Sequence, residues 1–243
     1  MGLLGNGCLA LLPQAGAVTA EAVGEVLGDA LAGEGVPGGV REALAARETL
    51  PDTGWTDNAT GTATAAHSGG VQTLGANSAG LVLSHRVAPS TPECPAIEIV
   101  GRFDVTTGAP ATQWWSGLSV SSAADTYGYI AQVAESGAVA LWHAHGSGYS
   151  LVGSSGSVSL TSGDVWLRLV VTPSYAAAYY GTGSGSTAPT SWTLVASTTT
   201  VAATLAAGRL SRVGLRAGRT ASGSGTYTTE WRDVQARILG LAP

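Results

Sequence analysis

Lysine is absent from this 243-residue sequence, and all eleven of its basic residues are arginine. Charged residues of both signs make up only 11% of the chain, and the formal net charge is −5. The sequence contains no basic patch with interleaved aromatic residues, so we expect no binding of nucleic acid. No apolar run approaches the ~18 residues that a membrane-spanning helix requires, so we expect no membrane insertion.

Cysteine is also scarce, and the spacing of Cys8 and Cys94 matches no metal site. The two residues lie in stretches of different composition, and we interpret them as free or buried thiols. The apolar stretch from Met1 to Leu12 carries no basic residue, and Pro13 interrupts it. Because a secretory signal peptide needs a basic start and a longer apolar run, we expect a soluble, unprocessed chain.

Apolar residues, by contrast, are plentiful at 44% of the chain, and they include seven tryptophans. This content is enough to bury a sizeable core despite the sparse charge, so the sequence predicts a globular protein.

Residues 1–50 have a helical pattern. Thr19 can cap a first short helix, and Pro37 can begin a second one that carries Val40, Ala43, Leu44 and Arg47 and ends before Pro51. Two glycines weaken the first helix by roughly 1 kcal/mol each. Because two such helices cannot form a core alone, we expect residues 1–50 to anchor the protein to an assembly or to copies of itself. The alternative is a helical hairpin that covers one end of the following domain.

From residue 54 to residue 240 the hydrophobic pattern changes to period two, with Gly/Ser/Thr turns between short segments. Val165, Leu167, Leu169 and Val171 fall on one strand face and Trp166 and Arg168 on the other, and Pro173 belongs in the turn to the next strand. Many short strands at this spacing predict an antiparallel sandwich or barrel. The predicted strands are 62–67, 70–74, 79–86, 96–106, 113–120, 126–134, 137–143, 149–153, 157–161, 164–172, 175–181, 191–197, 210–217 and 226–238.

The strand near residues 96–106 shows the pattern of a sheet with one solvated face. Ile97, Ile99 and Phe103 share the apolar face, whereas Glu98 and Asp104 share the polar face. We therefore expect Glu98 to lie at the surface.

An ordered series of short motifs in residues 54–240 resembles the concanavalin A-like lectin/glucanase jelly roll, in its laminin-G-like branch. The motifs are Ala96–Asp104, Trp115–Leu118, Tyr127–Ile130, Val139–Trp142, Leu160–Leu169, Ala178–Tyr180, Ser191–Thr193, Arg212–Leu215 and Trp231–Asp233. The resemblance implies an all-β fold of two antiparallel sheets, one of them concave. That fold hosts lectins, glycoside hydrolases, adhesion modules and phage surface proteins, so it does not select a function.

Acidic pairs of the kind that a retaining glycosidase needs are missing from the predicted strands. Such an enzyme holds two carboxyl groups about 5 Å apart, which alternate positions on one strand would provide. Glu98 and Asp104 are six positions apart, and Glu230 and Asp233 are three apart and so point to opposite faces. The sequence therefore predicts a protein that is not an enzyme.

Aromatic residues on consecutive strands are the best candidates for function, because sugar rings stack on aromatic faces. The set comprises Trp114, Trp115, Tyr127, Tyr129, Trp142 and Tyr149. We expect Trp114, Trp166, Trp192 and Trp231 to fill the core. We assign Trp115, Tyr129, Trp142 and His143 as candidate carbohydrate-binding residues.

The sequence contains few signals of a metal-binding site. His143 and His145 share a strand face, but no Asp, Glu or Cys stands near them, and Gly146 places His145 at a turn. Some members of the resembled family hold a structural calcium ion, to which the pair Asp57-Asn58 could contribute. The sequence otherwise indicates no cofactor.

Three hypotheses follow. The first is a non-catalytic phage or phage-like virion protein, a homo-oligomer such as a trimer, which residues 1–50 anchor to other virion proteins while the sandwich faces a host-surface glycan. The second is a free, extracellular lectin module. The third, which the missing acidic pair disfavours, is a glycoside hydrolase.

Overall fold

The computed structural model describes residues 43–44, 47–76, 80–87, 97–107, 113–122, 127–146, 148–160, 165–172, 175–201, 210–219 and 226–240. Every element in these residues is a β-strand. The strands are β1 (Ala43–Leu44), β2 (Glu48–Thr49), β3 (Thr56–Ala59), β4 (Thr64–Ser68), β5 (Val71–Ala76), β6 (Gly80–Val87), β7 (Ile97–Thr107), β8 (Trp114–Ser122), β9 (Tyr127–Ala134), β10 (Ala138–His145), β11 (Gly148–Ser157), β12 (Val165–Thr172), β13 (Tyr175–Thr182), β14 (Thr193–Thr198), β15 (Leu210–Arg219) and β16 (Tyr227–Gly240).

The strands form two antiparallel sheets. The nine-stranded sheet has the order β14-β13-β12-β7-β16-β5-β4, and the short strands β1 and β2 also pair with β16. The seven-stranded sheet has the order β11-β10-β9-β8-β15-β6-β3. This arrangement confirms the predicted all-β, two-sheet jelly-roll sandwich.

The predicted central hairpin is β12 and β13, which pair along their full length. Val165, Leu167, Leu169 and Val171 face the other sheet and belong to the core, as predicted. Trp166 and Arg168, on the opposite face, are also buried. The Trp166 indole N–H donates a hydrogen bond to the carbonyl of Gly183, 3.3 Å away in the segment that follows β13.

The core fills the space between the two sheets, and one small polar network crosses it. The Ser116 hydroxyl on β8 accepts a hydrogen bond from Trp231 Nε1 at 2.9 Å and donates one to the Arg216 carbonyl at 3.0 Å. Both side chains are fully buried, so Ser116 ties β8 to β16 in the opposite sheet. Of the tryptophans predicted for the core, Trp114 and Trp231 pack in it, whereas Trp166 and Trp192 lie outside the central cluster.

Part of the predicted second helix is wrong, because Ala43–Leu44 and Glu48–Thr49 are strands. The reason lies in β16. Its neighbour β5 pairs with it only as far as Arg232, so the backbone groups from Gln235 onward need another partner. Strands β1 and β2 supply that partner. The predicted first helix lies outside the described residues.

A second correction concerns the stretch after β10. Separate strands at 149–153 and 157–161 were predicted, but Gly148–Ser157 is one strand. Two register shifts against β10 absorb the Ser/Gly positions that resemble a turn in the sequence. The described residues contain no helix long and apolar enough to cross a membrane.

Candidate functional site

The outer face of the seven-stranded sheet, here called the front face, is lined mostly by small side chains. Because strand side chains alternate, every second residue of β8, β9, β10, β11 and β15 lies on it. The cross-strand registers place there Trp115, Gly117, Ser119, Ser121, Gly128, Ile130, Gln132, Ala134, Ala140, Trp142, Ala144, Tyr149, Leu151, Gly214, Arg216 and Gly218. The larger apolar members stand near the β10–β11 edge and at Trp115.

Two glycines of the front face are required by close packing. A Cβ atom on Gly117 would lie 2.4 Å from the backbone oxygen of Ala131, and one on Gly218 would lie 2.7 Å from the ring of Trp115. The Trp115 indole therefore lies directly over the Gly218 backbone and is half-buried.

One side-chain contact on the front face joins two distant strands. Arg216 Nη1 donates to the Tyr149 hydroxyl at 3.3 Å, although four strand spacings separate β15 from β11 in the sheet. On a flat sheet those spacings would amount to roughly 19 Å. Both side chains are long and approach one another across the glycine and serine residues between their strands.

Polar groups without a hydrogen-bond partner lie in one row across this face. Ser119 pairs with Ile130, and Ile130 pairs with Trp142, so the three are neighbours across β8, β9 and β10. The Ser119 hydroxyl and the Trp142 indole N–H are buried and make no hydrogen bond to the part of the chain that the structure describes. Leaving such a group unsatisfied costs about 1–3 kcal/mol, and of the two side chains only that of Trp142 is partly exposed and within reach of a ligand at the surface.

Exposed apolar surface borders that row. Leu151, directly opposite Trp142, is 52% exposed, and Tyr149 is 51% exposed. A rigid apolar surface beside unsatisfied donors is the arrangement that a sugar ring requires, with its apolar face on the rings and its hydroxyl groups on the donors.

The structure does not bring the four candidate residues together. Trp115 and Trp142 lie on the front face, in different rows. Tyr129 and His143 lie on the core side of the same sheet, where their rings stack with centroids 4.9 Å apart. Tyr129 is 0% exposed, so its ring cannot contact a ligand at the surface.

His143 lies beside His145 at the end of β10. Burial lowers the pKa of His143, and the neighbouring charge of His145 lowers it further. His145 Nε2 is 2.6 Å from the Ser150 hydroxyl. The pair thus has local partners on the core side of the sheet.

The residues suggested for calcium have another role in the structure. Asp57 Oδ1 is 3.0 Å from Nε2 of His67, so it is engaged by a nitrogen donor. Within the described ranges, no three His, Cys, Asp or Glu side chains come together as metal ligands. A contribution of Asp57 and Asn58 to calcium binding therefore stays a prediction.

The sequence analysis did not select Tyr149, Leu151 and Ser119 as neighbours of Trp142 on the front face. Tyr149 was in the aromatic set, but its position relative to Trp142 depends on the register across the β10–β11 turn. Counting outward from Gly146 would have paired Tyr149 with Ala144 and placed it on the face of Trp142. The bulge between Leu141 and Trp142 could not be found in this way.

Comparison with known proteins identifies the fold. No protein-family model and no curated protein sequence matches the chain. Among solved structures, the carbohydrate-binding module CBM66 from Bacillus subtilis is 13% identical with a TM-score of 0.52, over 76% of this chain and 96% of that one. The Ca2+-bound exoplasmic/lumenal domain of VIP36 is 9% identical with a TM-score of 0.54, over 78% of this chain and 85% of that one. These similarities show that the chain has the concanavalin A-like jelly-roll fold.

Proposed function

We propose that the sandwich is a non-catalytic carbohydrate-binding domain and that its glycan lies on the front face against Trp142, Tyr149 and Leu151. The observation that carries the proposal is the exposed apolar surface of Tyr149 and Leu151 beside the partly buried Trp142, whose indole N–H has no hydrogen-bond partner among the described residues. The similarity to a carbohydrate-binding module and to a structure of VIP36 with Man3GlcNAc supports it at the level of fold.

The charges of the front face support binding without catalysis. Strands β8, β9, β10 and β11 contain no Asp, Glu, Lys or Arg residue. Glycoside hydrolysis normally needs two carboxyl groups, one on each side of the scissile bond. A glycan held against these four strands would therefore meet hydroxyl and indole donors and no carboxyl group of theirs.

The test is a glycan array with the full chain, followed by calorimetry on the best ligand. We expect Trp142→Ala and Tyr149→Ala to weaken binding at least about tenfold, since each removes a stacking surface. Leu194→Ala is the matched control, because Leu194 is also an exposed apolar residue, at 46%, but lies in the nine-stranded sheet. Unchanged affinity in both front-face variants would refute the proposed site.

We further propose that this domain is displayed on a phage or phage-like virion, as a homo-oligomer held by the leading segment and directed at a host-surface glycan. The small-residue helical pattern of the sequence before residue 43 supports this role. Residues 43–50 belong to the sandwich edge, so the test is deletion of residues 1–42 alone. We expect the shortened chain to fold, to be monomeric by light scattering, and to be missing from particles. Normal incorporation into particles would contradict the proposal.

A further inference from the structure

The outer face of the nine-stranded sheet gathers charge that is rare elsewhere in the chain. Glu98 on β7 lies between Arg168 on β12 and Arg237 on β16, and both guanidinium groups contact its carboxylate. Arg47, just before β2, also donates to Glu98, through Nε at 3.2 Å and Nη2 at 3.3 Å. We call these four residues the arginine cluster.

The arginine cluster carries more positive than negative charge. Burial would raise the pKa of Glu98, but the charges of Arg168, Arg237 and Arg47 outweigh it and lower the pKa to about 2. Glu98 is therefore ionised at neutral pH. Arg168 and Arg237 alone exceed it by one positive charge, and each of the two residues is more than nine-tenths buried. Uncompensated buried charge is costly, so the cluster favours a further anion.

One carboxylate serves all the donors of the cluster. The Nε groups of Arg168 and Arg237 both form ion pairs with Glu98 and have no second acceptor among the described residues. The indole N–H of Trp192 is likewise buried without an acceptor. Guanidinium and indole N–H groups can only donate hydrogen bonds, so they suit a ligand group that only accepts them, such as a carboxylate.

Aromatic rings flank the guanidinium group of Arg168. Its central carbon lies 5.3 Å from the ring centroid of Tyr179 and 5.7 Å from that of Trp192. Both rings are only partly buried, and the Arg168 side chain keeps 11% of its surface exposed. The arginine cluster is thus open to solvent beside Tyr179 and Trp192, where the apolar face of a ligand ring can pack on an aromatic ring.

We propose that the arginine cluster, with Tyr179 and Trp192, is a second binding site that takes the carboxylate of an acidic sugar. The carboxylate contacts Arg168, and the sugar ring packs on Trp192. This site lies on the opposite side of the sandwich from the front face, so it is independent of the function proposed above.

The experiment is a titration of the full chain, followed by saturation-transfer NMR, with galacturonate, glucuronate and N-acetylneuraminate at constant ionic strength. Galactose and galacturonate methyl ester are the uncharged controls, and acetate tests for simple anion binding. We expect at least one acidic sugar to bind and its uncharged analogue to bind at least about tenfold more weakly, because the charged hydrogen bonds are lost.

Three variants locate the site. Arg168→Gln should weaken binding of the acidic sugar about tenfold. Trp192→Phe preserves every charge and should weaken binding without changing the fold measured by circular dichroism. Arg232→Gln is the matched control, because Arg232 lies on the same strand as Arg237 but pairs with Glu230 in a more exposed position. Trp142→Ala, on the front face, should also leave acidic-sugar binding unchanged.

The proposal is overturned if none of the three acidic sugars binds, or if Trp192→Phe binds them as tightly as the parent chain. Equal affinity for acetate would overturn the assignment to a sugar. Loss of binding in Trp142→Ala would place the acidic sugar on the front face and overturn the second site. Failure here leaves the test of neutral glycans on the front face unaffected.

Discussion

Replacing Glu98 by glutamine is the sharpest test of how the sandwich is held together. The Glu98 side chain is 1% exposed and contacts three guanidinium groups. Glu98→Gln keeps the volume of the side chain but removes the only negative charge of the arginine cluster. The three arginines would then repel one another in a buried setting, where removal of one partner from an ion pair typically costs about 3–5 kcal/mol.

The lowered pKa of Glu98 gives a second estimate of the free energy that its charge contributes to folding. The pKa of Glu98 falls from 4.5 to about 2 on folding, because the arginine charges outweigh the effect of burial. A difference of this size corresponds to about 3 kcal/mol, at roughly 1.4 kcal/mol per pH unit. The sign follows from the lowered folded-state pKa. The contribution is fully present above about pH 4.5 and is lost as the pH falls toward 2.

The assay is unfolding by urea, an uncharged denaturant that does not screen the ion pairs, at pH 7 and at steps down to pH 3. We expect Glu98→Gln to lose about 3 kcal/mol at pH 7, and the gap to the parent chain to narrow as the pH falls. Glu230→Gln is the control. Its partner Arg232 is 40% exposed, so this variant should lose less than about 1 kcal/mol. A loss below 1 kcal/mol in Glu98→Gln, or a gap independent of pH, would refute the electrostatic account.

Two further predictions concern the packing of β8. Ser116→Ala removes the acceptor of the Trp231 indole N–H and should lower the free energy of unfolding by about 1–3 kcal/mol, whereas Ser154→Ala, at an exposed position, should change it little. Equal losses in the two serine variants would show that the inter-sheet hydrogen bond is unimportant. Gly117→Ala places a Cβ atom 2.4 Å from a backbone oxygen of β9, so thermal unfolding should show a loss of about 1–3 kcal/mol. An unchanged melting temperature would mean that β8 and β9 can separate without cost.

Most of the fold could be predicted because apolar and polar residues alternate along a strand that has one buried face. The hairpin of β12 and β13 is the clearest example, since Val165 and Leu167 point inward as their alternation requires. The same local pattern failed for residues 43–49. Their strands exist because β16 extends past β5, and the length of a distant strand leaves no trace in the sequence of its partner.

The candidate site was harder to predict than the fold, because side-chain alternation assigns a face only within one strand. Trp142 and His143 are adjacent in sequence and so lie on opposite faces of β10, yet both were assigned to one surface. Glu98 was expected at the surface for a related reason. Alternation places it on the outer face of its sheet, but it cannot show that Arg47 and Arg168 close over that face.

The two outer faces of the sandwich differ in the chemistry that they can recognise. The front face is formed largely by strands without charged residues, so its selectivity must come from ring stacking and from neutral donors such as Trp142 Nε1. The opposite face holds Arg168 and Arg237 around a single carboxylate, so its selectivity must come from charge. A neutral sugar would leave the excess positive charge around Glu98 without a further anion, and an acidic sugar on the front face would lose its hydration with little charge to replace it. Variants at Trp142 and Arg168 should therefore affect different ligands, and a variant that affected both would show that the faces are coupled.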